Sequence, residues 1–214
     1  MQCRVAFSCF LVALAVVAVK PALAQTAITI AYDTQAFQSR KLQAGTIGAS
    51  VSYEPYKPAQ DSPEAANNLR YQLSYNGQVK VSAAVSTLSS GEVALKDLDG
   101  DRTAEVIVSS FSGGAHCCTN LKIYMWRGDQ FIETDTGFLD GIGGSFQDID
   151  HDGKQEFLTV DNAFLYAFSS YAGSVPPDRI YALRQGRLQD VTRNHPKDRG
   201  LNNLNDRSAL GAWH

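Results

Sequence analysis

Two segments 51 residues apart decide the fold: "VALKDLDGDRTAEVIV", Val93 to Val108, and "GSFQDIDHDGKQEFLTV", Gly144 to Val160. Each places carboxylates at alternate positions and closes on a glutamate that opens a β-branched, apolar run. Further along, "KIYMWRGDQFIETD" (122–135) aligns with "RIYALRQGRLQDVT" (179–192), Ile123-Tyr124 over Ile180-Tyr181 at an offset of 57. The extra six residues fall most simply in "AFSSYAGSVPPDR" (167–179), where Gly173 and Pro176-Pro177 mark a loop. Self-similarity at a fixed period is the signature of a repeated supersecondary unit. The unit reads as strand, acidic loop, buried strand, long loop, strand, tight turn, strand. "EVIVSSF" and "EFLTVD" are short, β-branched and bounded by turn residues, so they are expected as strands. A partial third copy, "RYQLSYNGQVKVSA" (70–83), sets Asn76-Gly77 between alternating strands, a two-residue hairpin signal. The expected class is all-β: two propeller-like antiparallel repeats plus a preceding β-hairpin, without a closed propeller.

The boundaries follow. Residues 1–24 have an early Arg4, an apolar run to Val19 and Ala22-Leu23-Ala24, the pattern of a cleaved secretory signal peptide. The run is short of the roughly 20 residues a bilayer span needs, and no later segment is apolar enough to cross. Arg4 and Lys20 are the charges of that segment, so its removal takes the formal net charge from −3 to −5. A mildly acidic exported chain has no electrostatic footprint for nucleic acid or anionic lipid. Residues 25–89 form an N-terminal β segment with a proline-bearing surface loop, Tyr53 to Asn68, and the hairpin. Residues 90–192 hold the repeats, about 90–139 and 140–192, and 193–214 are a polar tail. At 51 to 57 residues per unit the exported portion has about three and a half units, below the four blades a closed propeller takes. An unclosed stack must cover its edge strands, and the segment "AITIAY" (27–32) is available for that.

Calcium takes six to eight hard oxygen ligands, and alternate residues of a tight loop can supply most of them. In the second loop these are Asp148, Asp150, Asp152, the carbonyl of Lys154, and Glu156, with Gly153 at the sixth position for the sharp turn. In the first loop the same positions hold Asp97, Asp99, Asp101, Thr103 and Glu105, with Arg102 at the sixth position and the glycine, Gly100, at the fourth. An EF-hand would require a bidentate glutamate at the twelfth position, which is Thr159 here, and flanking helices. The bland alternative is a solvated acidic turn. A left-handed arginine would cost on the order of 1 kcal/mol, which favours the second loop. The pattern resembles the calcium-binding blade of FG-GAP and VCBS repeats, the integrin-type β-propeller unit, over roughly 90–192. That resemblance implies the carboxylates just named as ligands of one or two calcium ions.

"SSFSGGAHCCTNLKIY" (109–124) carries Cys117 and Cys118, adjacent cysteines in a chain expected to reach an oxidising compartment. A vicinal disulfide, an intermolecular bridge, a soft-metal site and unpaired thiols all stay open. Neither a Cys-x-x-Cys pair nor a Ser elbow is present, which leans away from catalysis. His151 falls at the fourth position of the second loop, pointing outward. Tyr71, Tyr75, Tyr124, Trp126, Phe131, Tyr166 and Tyr181 are expected as strand residues in core or cross-strand packing. The expected function is a secreted or periplasmic calcium-binding β-repeat module that contacts an extracellular protein or carbohydrate, with oligomers allowed. The alternatives are an exported thiol-disulfide or hydrolytic enzyme using the cysteine loop, and a purely structural envelope protein.

Overall fold

A computed structural model describes residues 26–57, 66–114, 117–140 and 143–196, with backbone only at Cys117 and Ala172. The signal segment, the middle of the proline-bearing loop, His116 and the tail from 197 lie outside the described residues.

Asn76 and Gly77 both adopt positive φ (48° and 76°), as the two-residue hairpin expectation requires. That turn joins β4 (Leu69–Tyr75) to β5 (Gln78–Val85). The pair is half of a four-stranded sheet completed by β2 (Phe37–Ala44) and β3 (Ile47–Tyr53), in the order β2-β3-β4-β5. The first repeat builds β6 (Gly91–Lys96), β7 (Glu105–Phe111), β8 (Cys117–Arg127) and β9 (Gln130–Asp140). The second builds β10 (Ser145–Gln147), β11 (Glu156–Val160), β12 (Asp178–Arg184) and β13 (Arg187–Asp190). Each group is an antiparallel meander, and none of the three sheets closes on itself. Each meander has the strand order of one propeller blade, so what the sequence reads as a lone hairpin belongs to a whole third blade-like sheet. Its first two strands escape the repeat because "FQSRKLQAGTIGASVSY" (37–53) has a tight turn at Gly45 where the other two sheets have acidic loops.

Strand β1 (Ala27–Ile30) pairs antiparallel with β6, Ile28 opposite Val93, and so covers that edge. The five-stranded sheet β1-β6-β7-β8-β9 is the middle layer, and side-chain alternation sorts its residues to two faces. Val93, Leu95, Val106, Val108 and Tyr124 pack with Ile47, Val51, Tyr71 and Leu73 of the N-terminal sheet. Ala94, Ile107, Ile123 and Met125 pack with Phe157 and Leu183 of the C-terminal sheet. Burial on both faces is why "VAL" and "EVIV" read as continuous apolar runs rather than alternating ones. The N-terminal sheet is half-buried instead. Strand β4 alternates buried Leu69, Tyr71 and Leu73 with exposed Arg70 and Gln72.

The aromatic residues follow the expectation except for one. Tyr71 and Tyr124 are buried and share a hydrogen bond between hydroxyls at 2.8 Å. Tyr75 stacks on Trp126 at 4.0 Å, and Phe131 meets Trp126 edge-on. Tyr166 is not a strand residue: it lies in the loop between β11 and β12, 61% exposed, at φ 62°. Its neighbourhood "NAFLYAF" (162–168) looks strand-like only in composition. The backbone there is taken up by a 3-10 turn, Asn162–Phe164, capped by Asp161.

Candidate metal centre

Both acidic loops span the same length between paired strands. The first runs from the Lys96–Glu105 pair and the second from the Gln147–Glu156 pair, each enclosing eight residues. They also close with the same hydrogen bonds. The first-position aspartate accepts from the backbone N–H of the sixth residue: Arg102 to Asp97 at 2.9 Å, Gly153 to Asp148 at 3.0 Å. The third-position aspartate accepts from the fifth N–H, Asp101 to Asp99 and Asp152 to Asp150, both at 3.2 Å. The fifth-position aspartate accepts from the seventh N–H, Thr103 to Asp101 at 2.7 Å and Lys154 to Asp152 at 2.8 Å. The closing glutamate accepts from the second N–H, Leu98 to Glu105 at 2.7 Å and Ile149 to Glu156 at 3.2 Å.

The two loops turn on two left-handed positions, not one. The fourth is Gly100 (φ 76°) and His151 (φ 62°); the sixth is Arg102 (φ 69°) and Gly153 (φ 86°). Each loop therefore has glycine at one of these positions and strains a residue bearing a Cβ at the other. The placement of glycine, which by sequence favoured the second loop, does not separate them. Gly100 has a second reason to be glycine: a Cβ there would lie 3.3 Å from the Gly153 carbonyl oxygen, because the loops abut. The Gln155 N–H donates to the Leu98 carbonyl at 2.8 Å, tying one loop to the other.

In the first loop Asp97, Asp99 and Asp101 bring carboxylate oxygens within 4.8 Å of one another; in the second Asp148, Asp150 and Glu156 do so. The remaining acids stand outside those trios. Glu105 is 1% exposed, and burial, with Asp99, Asp101 and Asp97 adding repulsion, pushes its carboxyl up to about 8. Asp152 turns its carboxylate to the Lys154 ammonium at 3.2 Å, and the Lys154 N–H with that ammonium lowers its pKa. Burial raises Glu156 above the ordinary glutamate range and Asp99 above the aspartate range. Hard oxygen donors clustered this closely fit calcium or magnesium in chemistry, not a thiophilic metal. His151 is exposed, as expected of its outward position.

Two features escaped the sequence reading. A cavity of about 390 Å³ opens between the loops, walled by Asp99 from one and Asp150, Lys154 and Glu156 from the other, with Arg184 and His195. The second feature is Arg127, whose guanidinium donates to Asp99 at 2.8 Å. A signal for it existed: Arg127 and Arg184 stand 57 residues apart, the same offset as Ile123 and Ile180.

The cysteines lie at the other end of the molecule, since Cys117 pairs with Asp140 while the hairpin of the same strands, Arg127 to Gln130, sits beside the acidic loops. Cys118 is disulfide-bonded. The same far end exposes Phe138, Phe164, Tyr166, Phe168 and Val175.

No family model and no solved structure matches the chain. A protein of Synechocystis sp., described as a probable thylakoid lumen protein, is 32% identical over 162 residues, 71% of this chain and 45% of that relative. An uncharacterized protein of Sinorhizobium fredii is 44% identical over 90 residues, 42% of this chain and 14% of the relative. The chain thus spans less than half the length of these curated relatives.

Proposed function

We propose that this is an exported calcium-binding β-repeat module of the FG-GAP and VCBS kind, in which the ion stiffens an acidic loop at one end of a stack of blade-like sheets. The observation that carries the reading is the cradle: two loops of unrelated intervening residues adopt the same hydrogen-bonded course, and each gathers three carboxylates within 4.8 Å. Such a cluster repels itself, and a divalent cation removes that repulsion. Calcium suits the site better than magnesium, because it accepts irregular oxygen cages and sheds water more readily. The signal-like segment and the lumenal description of the Synechocystis relative support an exported location. Contact with a protein or carbohydrate is supported by the exposed aromatic residues at the far end, Phe138, Tyr166 and Phe168 among them.

The experiment is thermal unfolding of the exported protein in millimolar calcium and then in chelator. An ion held a hundredfold below its concentration stabilises the fold by about 2.7 kcal/mol. For a chain of this size that raises Tm by about 5–10 °C. The shift should reverse with chelator and vanish in Asp150→Ala. No shift in the parent protein would leave the loops as solvated turns.

A further inference from the structure

The two loops share a backbone course but hold their cations differently. In the second, Lys154 pairs at 3.2 Å with Asp152, which stands outside the carboxylate trio, whereas in the first the cation comes from a neighbouring strand and meets the trio itself. Arg127, the last residue of β8, turns its guanidinium into the first loop: Nη2 donates to Asp99 Oδ2 at 2.8 Å, and Nη1 lies 3.8 Å from Asp101 Oδ2. Its Nε donates to the Met125 sulfur at 3.2 Å, which fixes the plane of the group. The Asp99 side chain is 12% exposed and that of Arg127 43%, so the carboxylate is sheltered while water screens the guanidinium in part. Asp99 and Asp101 are two of the three carboxylates that the first loop gathers.

The second loop lacks this arrangement. Arg184, the last residue of β12, holds the corresponding place, but it is exposed and lies in the cavity wall. Among the described residues, neither Arg184 nor any of Asp148, Asp150 and Glu156 belongs to an ion pair.

We propose that Arg127 is the resident cation of the first loop, and that it excludes a divalent ion there, so the chain binds calcium at the second loop only. An ion entering between Asp97, Asp99 and Asp101 would have to take Asp99 from the guanidinium and then sit beside a positive charge. The inference rests on the calcium reading for the second loop, but its own prediction concerns the first.

The test is calorimetric titration of calcium into chelator-stripped protein, with circular dichroism as the check of folding. The parent should bind one ion, and Asp150→Ala should abolish that site. Arg127→Gln should bind two, and Arg127→Gln with Asp150→Ala should keep one. Arg127→Lys, which retains the charge, should stay at one. Two sites in the parent, or no added site in a folded Arg127→Gln, would overturn the proposal. If the parent bound nothing while Arg127→Gln gained one ion, the role of Arg127 would stand and the calcium reading of the second loop would fall.

Discussion

Glu105 shows what it costs to bury a carboxyl at the root of an acidic loop. It is buried at the root of the first loop and accepts one backbone N–H, while three neighbouring aspartates oppose its ionisation. Its folded pKa, about 8, stands above the ordinary 4.5, so between those values the folded state holds a proton that the unfolded chain has released. Stability then falls as pH rises from about 4.5, and the loss is complete above the folded pKa near 8. Glu156 is shifted the same way and adds to the trend. Melting temperatures in chelator, taken from pH 5 to pH 8.5, should decline in the parent protein and much less in Glu105→Gln. A flat parent profile would mean that the carboxylate ionises in the fold without penalty.

At the level of elements, the N-terminal sheet is joined to the middle one by more than apolar contact. The hydroxyls of Tyr71 on β4 and Tyr124 on β8 meet in the buried layer between the sheets. Tyr124→Phe removes the bond to Tyr71 and the one between the Tyr124 hydroxyl and Glu133, a cost of about 1–2 kcal/mol. Replacing both should cost less than the two single changes together, with a coupling on the order of 1 kcal/mol. Urea denaturation of the four proteins measures this, and strict additivity would show that the pair does not hold the sheets in register. The stacked Tyr75–Trp126 pair marks the same interface nearer the acidic end.

Over the whole molecule, the N-terminal and middle sheets are tied together by a strand that leaves its own neighbourhood. Strand β1 precedes the N-terminal sheet in sequence, yet it pairs with β6 of the middle sheet, and Ile28 and Ile30 fill the layer between the two sheets. Ile30 is fully buried, so Ile30→Ala should lower stability by about 2–5 kcal/mol. Because that layer is shared, the loss should appear as one transition. With Trp213 replaced by Phe, Trp126 fluorescence and far-ultraviolet circular dichroism should move together on unfolding, and separated midpoints would show that the sheets unfold independently.

The pattern of residues determined the all-β class, the repeat, the hairpin at Asn76-Gly77 and the placement of an acidic loop between paired strands in two units, but not that each loop turns on two left-handed positions. What it determined is local: alternation, β-branching, turn chemistry and carboxylate spacing act over a few residues. The β2–β3 half of the N-terminal sheet was not legible, because a turn at Gly45 replaces the acidic loop that identifies the other units. Tyr166 was misread because aromatic composition alone does not reveal a capped 3-10 turn. Tertiary structure alone decided that the middle sheet is buried on both faces and that the loops abut through Gly100 and Gly153. It also decided that Arg127, 28 residues beyond Asp99, reaches that carboxylate. Contacts of that kind depend on how meanders stack, and the energy of stacking is carried by side chains that share no sequence neighbourhood.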